Sequence, residues 1–222
     1  MPVKTVQVTE KILASNASVA EANRAKLDAA GVFAINLISS PGSGKTSLVE
    51  ATVRALMPAF RIGMINGDTS PAALDAERGA RAGASAIHVN TAGKCHLEAN
   101  MIGMALESLP LDGLDLLIVE NVGNLVCPSH WALGTHATVV VASTPEGSDK
   151  PFKYPASYRG VDALVLNKVD LLPYLDFDME LFMRGVRELN PGVSAFPLSC
   201  RSGEGFERWT DWIISGIAGQ RS

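Results

Sequence analysis

The chain has 222 residues, 47% hydrophobic and 19% charged, a balance that excludes a disordered chain and suits one globular domain. A formal net charge of −4 offers no broad basic surface for nucleic acid, and no apolar run is long enough to cross a bilayer, so neither partner is expected. Three cysteines, an odd number, argue against a disulfide framework and for a reducing cytoplasm, and residues 1–11 carry no apolar segment of the kind a secretory signal needs.

Residues 9–29, rich in alanine and charge, read as an amphipathic helix. The chain therefore divides into an N-terminal helical segment, 1–31, and a main domain, 32–222. Residues 32–38 (VFAINLI) read as a buried strand that ends in a glycine-rich turn. A helix over 46–57 follows, with Leu48, Val49, Val53 and Leu56 on one face. Strands at 61–66 and 84–89 flank a helix over 71–82, with Pro71 at its first position. Residues 94–109 read as a further helix capped by Thr91, with Leu97, Met101, Met104 and Ala105 as its apolar stripe. Strands at 114–120 (LDLLIVE), 137–143, 161–167 and 193–198 complete the set, with helices over 178–189 and 205–217. Near-continuous apolar strands alternating with helices predict an α/β fold: a mainly parallel sheet with helices on both faces.

The turn after the first strand reads Ser39-Ser40-Pro41-Gly42-Ser43-Gly44-Lys45-Thr46. It matches the phosphate loop G-x-x-x-x-G-K-[ST], with Ser39 in place of the first glycine. Gly42 and Gly44 free the backbone so that its N–H groups, with those of Ser43 and the helix start at Thr46 and Ser47, converge on phosphate oxygens. Lys45 is expected to span the β- and γ-phosphates, and the Thr46 hydroxyl to hold Mg²⁺. Strand, loop and helix occur in the required order, which predicts a P-loop NTPase.

Asn167-Lys168-Val169-Asp170, at the exit of the 161–167 strand, fits N-K-x-D. Guanine offers N1–H and its exocyclic amine as a pair of donors, and the Asp170 carboxylate can accept both. Adenine would leave that carboxylate unpaired, so GTP is the expected nucleotide. Asn167 can bond the base edge and neighbouring loops, the Lys168 stem can cover the ring face, and Ser199-Cys200-Arg201 sits where a second base-contacting loop is expected.

The 114–120 strand ends in Glu120-Asn121-Val122-Gly123, a Walker B terminus with D-x-x-G changed to E-x-x-G. Glu120 is expected near Mg²⁺, and Gly123 near the γ-phosphate. Asp68 and Asp75 are candidates for the Mg²⁺ shell or for orienting the attacking water. Asn124, not glutamine, follows Gly123, so slow intrinsic turnover is expected.

Cys95 and His96 lie at the start of the 94–109 helix, and Cys127 four residues past Gly123. Thiolate and imidazole suit Zn²⁺ and also take Ni²⁺, but three ligands are one short of a closed site and small buried cysteines are common. A metal at Cys127 would share a loop with the nucleotide. His88, His130 and His136 look less organised.

Several strings (NLISSPGSGKTSL, NGDTSPAALDAER, TAGKCHLEANM, LLIVENVGNLVCP, EGSDKPFKYP, NKVDL and SCRSGEGF) together resemble the HypB family of hydrogenase nickel-incorporation GTPases. The resemblance runs from about residue 34 to residue 206. It implies a P-loop GTPase of the class that includes the signal-recognition and MinD-like proteins, and a GTP-dependent homodimer. It further implies delivery of nickel to the [NiFe]-hydrogenase large subunit with a HypA-like metallochaperone. The family's metal site maps onto Cys95, His96 and Cys127 near the dimer interface, and Asp149, Lys150 and Lys153 fall where the family reaches the nucleotide region. Residues 1–31 carry neither the cysteine motif nor the histidine-rich stretch of some members, so a separate N-terminal nickel site is not expected. The alternative is a UreG-like urease-accessory GTPase, whose Cys-Pro-His motif is only approached by Cys127-Pro128-Ser129-His130. A vestigial nucleotide site conflicts with the intact Lys45, Thr46 and Asp170, and a metabolite kinase with N-K-x-D.

Overall fold

Five central runs, rich in apolar residues, form strands buried on both faces under covering helices, and two shorter, half-buried strands close the edges of the sheet. The computed structural model describes the backbone of residues 8–221 and side chains from residue 11, so most of the expected signal-free segment at 1–11 lies outside the described residues. The elements are α1 (Val8–Ala30), β1 (Phe33–Ser39), α2 (Lys45–Leu56), β2 (Ile62–Asp68), α3 (Leu74–Ala82), β3 (Ser85–Asn90) and α4 (Ala99–Ser108). They continue as β4 (Leu116–Gly123), β5 (Ala137–Ser143), α5 (Lys150–Lys153), α6 (Pro155–Arg159), β6 (Ala163–Asn167), α7 (Met179–Leu189), β7 (Ser194–Pro197) and α8 (Phe206–Gln220).

The strands form one sheet in the order β3-β2-β4-β1-β5-β6-β7, and every pairing is parallel. Alternate residues of β1 face opposite layers. Phe33, Ile35 and Leu37 pack with Leu48, Val49 and Val53 of α2 and Trp209 and Ile213 of α8, while Ala34 packs with Leu27 of α1 and Ile102 of α4. A third cluster lies under α6 and α7, where Tyr158, Phe182 and Val186 meet Ile38 and Val140. This is the doubly wound P-loop NTPase architecture. The strand order reverses at β1, between β4 and β5, so the loop after β1 opens into the crevice where such sheets bind ligands.

α1 is pinned to the body by polar contacts. Buried Asn23 donates to the carbonyls of Ala99 (2.7 Å) and Leu133 (3.1 Å), and Arg24 Nε donates to Gly134 O at 2.9 Å. His136 accepts from Ala34 N at 2.9 Å and lies 2.9 Å from Asp28 Oδ1, which fixes its proton on Nε2. It is thus an organised bracket between α1 and β1. No described helix is long and apolar enough to cross a membrane.

Three boundaries differ from expectation. α3 begins at Leu74, because Asp68 Oδ1 and Ser70 Oγ accept from the amides of Ser70 and Ala72 and fold the segment around Pro71 into turns. α4 begins at Ala99, which frees Cys95 and His96 from the helix in which they were expected. The Leu97 amide donates to Asn121 Oδ1 at 3.0 Å instead of entering a helical ladder, and Asn16 Oδ1 caps the Ala99 amide at 2.8 Å. β4 runs on to Gly123, which pairs with Ser39 across a register shift in β1.

Candidate functional site

The phosphate loop folds as its glycines allow. Gly42 and Gly44 adopt positive φ of 80° and 97°, and a methyl at 44 would sit 2.5 Å from Asn167 Nδ2. The hydroxyl of Ser39, which replaces a glycine, accepts from Lys45 Nζ at 2.7 Å and so holds the lysine over the loop. Gly42, Gly44, Lys45, Thr46 and Ser47 line a cavity of about 410 Å³ with Asp68, Asp75, Glu120, Gly123 and Lys168. Ser43 does not line it; its hydroxyl donates to Glu146 Oε1 at 2.7 Å and braces the loop from behind.

A second cavity of about 260 Å³ shares Gly44, Ser47 and Lys168 with the first and adds Asn167, Asp170, Ser199, Cys200 and Arg201. Asn167 ties three loops together. Its Nδ2 donates to Ser43 O at 3.0 Å, and its Oδ1 accepts from Lys168 N at 2.8 Å and Cys200 N at 3.2 Å. Lys168 takes a positive φ of 64° and donates from Nζ to Gly42 O at 2.7 Å, which lays its stem between the cavities. Burial pushes the Cys200 thiol up to about 12, so it lines the wall as an uncharged group. Asp149, Lys150 and Lys153 line neither cavity: Lys150 pairs with Glu146 at 3.6 Å and Lys153 with Asp149 at 2.5 Å.

Thr46 Oγ1 donates to Glu120 Oε1 at 2.6 Å, while Glu120 Oε2 is buried with no hydrogen-bond partner. Burial pushes the Glu120 carboxyl up to about 7 against the opposing pull of Thr46 and Lys45. Burial also lowers the Lys45 ammonium, with Glu120 pulling it back. A threonine hydroxyl beside an orphaned acidic oxygen fits a hydrated Mg²⁺, and cation binding there requires the ionised carboxylate, so Mg²⁺-dependent nucleotide binding should tighten as pH rises through 7. Glu120→Gln copies the shape of the protonated acid and should fold normally. It should lose about ten- to a hundredfold of the Mg²⁺-dependent gain in nucleotide affinity, read by titrating a fluorescent nucleotide with and without Mg²⁺. An undiminished gain would remove Glu120 from the cation site.

Four residues of this region were not singled out from the sequence. Arg78 lines the phosphate cavity, held by Glu50 at 2.5 Å and Asp75 at 3.5 Å, and supplies a third cationic side chain there beside Lys45 and Lys168. Asn66 lines the same cavity, and His88 spans its Oδ1 and Ser70 O at 3.1 Å each, so His88 too is organised. Glu146 accepts from Ser143 N (2.8 Å) as well as from Ser43. Asn121 bonds the Leu97 amide and donates to Asn36 Oδ1 at 3.1 Å.

Cys95 and Cys127 stand side by side. The Cys127 thiol pushes that of Cys95 up, and burial follows as the lesser cause. Cys95 Sγ lies 3.7 Å from His96 Nδ1, and burial lowers the His96 imidazole, favouring its neutral form. Among the described residues no group of three or more His, Cys, Asp or Glu side chains forms a metal site within one chain. Asn124 Nδ2 donates to Cys95 O at 3.3 Å, so the thiol loop hangs from the segment that follows Gly123.

The CobW/HypB/UreG nucleotide-binding domain matches residues 33–197. The chain belongs to that family. The hydrogenase maturation factor HypB of Azotobacter chroococcum mcd 1 is 45% identical over 212 residues, which cover 95% of this chain and 68% of that protein. The crystal structure of HypB from Archaeoglobus fulgidus superposes with a TM-score of 0.86 at 36% identity, covering 92% of this chain and all of the other. That of Helicobacter pylori HypB in complex with nickel superposes with a TM-score of 0.88 at 32% identity, covering 94% and 97%. As a member of the CobW/HypB/UreG family, the chain is a nucleotide-binding P-loop protein, and the family match spans the phosphate loop, the Cys-His loop and N-K-x-D.

Proposed function

We propose that this protein is a GTP-hydrolysing switch that gates nickel delivery to a [NiFe]-hydrogenase during its maturation. It works in the cytoplasm as a GTP-dependent homodimer, receives nickel from a HypA-like metallochaperone and passes it to the hydrogenase large subunit. Relatives named as hydrogenase maturation factors and a relative solved with nickel support this reading. Residues 32–222 act as the GTPase unit, preceded by an N-terminal helical segment within residues 1–31.

One observation carries the proposal. Glu120, Asn121 and Gly123 line the phosphate cavity, and the same segment holds the Cys-His loop through Asn121 Oδ1 to Leu97 N (3.0 Å) and Asn124 Nδ2 to Cys95 O (3.3 Å). A shift of that segment on loss of the terminal phosphate therefore reaches Cys95, His96 and Cys127 directly. Lys45 binds the phosphates and compensates charge developing on them. Thr46, Glu120 and Asp68 would hold Mg²⁺, which when bound neutralises the phosphate charge. Asp75 orients water, and Asp170 reads guanine. Cys95, His96 and Cys127 hold Zn²⁺ or the nickel cargo, and a second copy completes the coordination that one chain leaves short.

Titrating the apo protein with Ni²⁺ in the presence of GTP analogue or GDP, with light scattering on each sample, tests the coupling. Nickel affinity and dimer content should both differ between the two nucleotides. Cys127→Ala should lower the metal bound per dimer and weaken Ni²⁺ by about a hundredfold or more, since a thiolate ligand is removed. Equal affinities and equal mass in both nucleotide states would overturn the reading.

A further inference from the structure

Within the thiol cluster, His96 has surroundings that holding nickel does not by itself explain. Its ring is stacked on the Trp131 indole, with centroids 4.4 Å apart and planes inclined by 26°. Its Nδ1 faces Cys95 Sγ at 3.7 Å. Its Nε2 is buried and has no hydrogen-bond partner, and Glu98 Oε1 stands 3.6 Å away, just beyond bonding distance.

An imidazole that binds a cation through one nitrogen carries its proton on the other, and that proton needs an acceptor. Glu98 is available for this role. It occupies the N-cap position of α4 in extended conformation, yet its side chain makes no capping bond. The Ala99 amide is capped by Asn16 instead. The Glu98 oxygen nearest His96 is held by Lys94 Nζ at 2.7 Å, so the carboxylate is pinned at the mouth of the cluster.

We propose that Glu98 is a positioning residue for His96: it accepts the Nε2–H when a divalent cation takes Nδ1, with the Trp131 ring fixing the imidazole plane. The inference rests on the reading of Cys95, His96 and Cys127 as the cargo site. A plain surface ion pair between Glu98 and Lys94 would instead leave metal affinity untouched.

The test measures Ni²⁺ affinity of the full chain by competition with a chromogenic chelator, together with the near-ultraviolet thiolate-to-nickel absorption. Glu98→Gln should weaken Ni²⁺ about ten- to a hundredfold and shift that band, and Lys94→Ala, which unpins the carboxylate, should weaken it by a smaller factor. Trp131→Phe should keep most of the affinity and Trp131→Ala lose it, while circular dichroism of each variant confirms the fold. Wild-type affinity in Glu98→Gln alongside weakened binding in His96→Ala would overturn the role of Glu98 alone. Wild-type affinity in His96→Ala would overturn the cargo site and this inference together.

Discussion

Lys45→Ala is expected to abolish nucleotide binding at micromolar protein and to take hydrolysis with it. The phosphate cavity is lined by three acids, Asp68, Asp75 and Glu120, against Lys45, Arg78 and Lys168, and Arg78 is already engaged by Glu50 and Asp75. A triphosphate brought into that cavity depends on the ammonium that Ser39 presents at 2.7 Å. Two charge-assisted bonds at about 1.5–3 kcal/mol each correspond to a loss of roughly 10²- to 10⁴-fold. The free variant should stay folded, because burial already disfavours the charged lysine and the neighbouring Glu120 carboxyl readily takes a proton. Titration of a fluorescent GTP analogue, with thermal melting as the control, reads the result. Binding within tenfold of the native chain would dismiss the phosphate-loop assignment.

Asp170→Asn should change which purine is accepted. The residue lines the smaller cavity beside Lys168 and Ser199. A carboxylate accepts from both N1–H and the exocyclic amine of guanine, whereas an amide accepts one bond and donates another. Xanthine carries a carbonyl where guanine carries that amine, so the variant should lose GTP by about a hundredfold or more and gain xanthosine triphosphate. Competition between the two nucleotides measures the change directly. An unaltered preference for GTP would show that the base is read elsewhere.

The sheet is legible because its central parallel strands, buried on both faces, leave near-continuous apolar runs, and the half-buried edge strands β3 and β7 still fall within a few residues of the expected positions. The glycine turn and N-K-x-D were legible because they act through local backbone chemistry. The Cys95–Glu98 segment was not, since Leu97 fits a helical stripe and only its bond to Asn121, 24 residues away, draws it out of the helix. Arg78 is silent in the sequence for a similar reason. It sits on a short polar helix close to Arg81, and nothing local distinguishes the arginine that turns inward. Glu146, Asn66 and His88 work through partners on other elements, which spacing along the chain does not reveal. Ser39 looked like a small defect in a motif, and its hydroxyl instead holds the lysine.

Gly67 has a consequence for how the Cys95–Glu98 segment is seated on the sheet. A methyl there would sit 2.6 Å from Leu97 Cγ, so the leucine is seated like a plug in a socket cut into β2, directly beneath the phosphate cavity. Leu97 is fully buried. Unseating it exposes about 2–3 kcal/mol worth of apolar surface, a cost within reach of ordinary local opening. A side chain at position 67 would collide with Leu97, so the glycine in β2 is what lets the Cys95–Glu98 segment lie this close to the phosphate cavity.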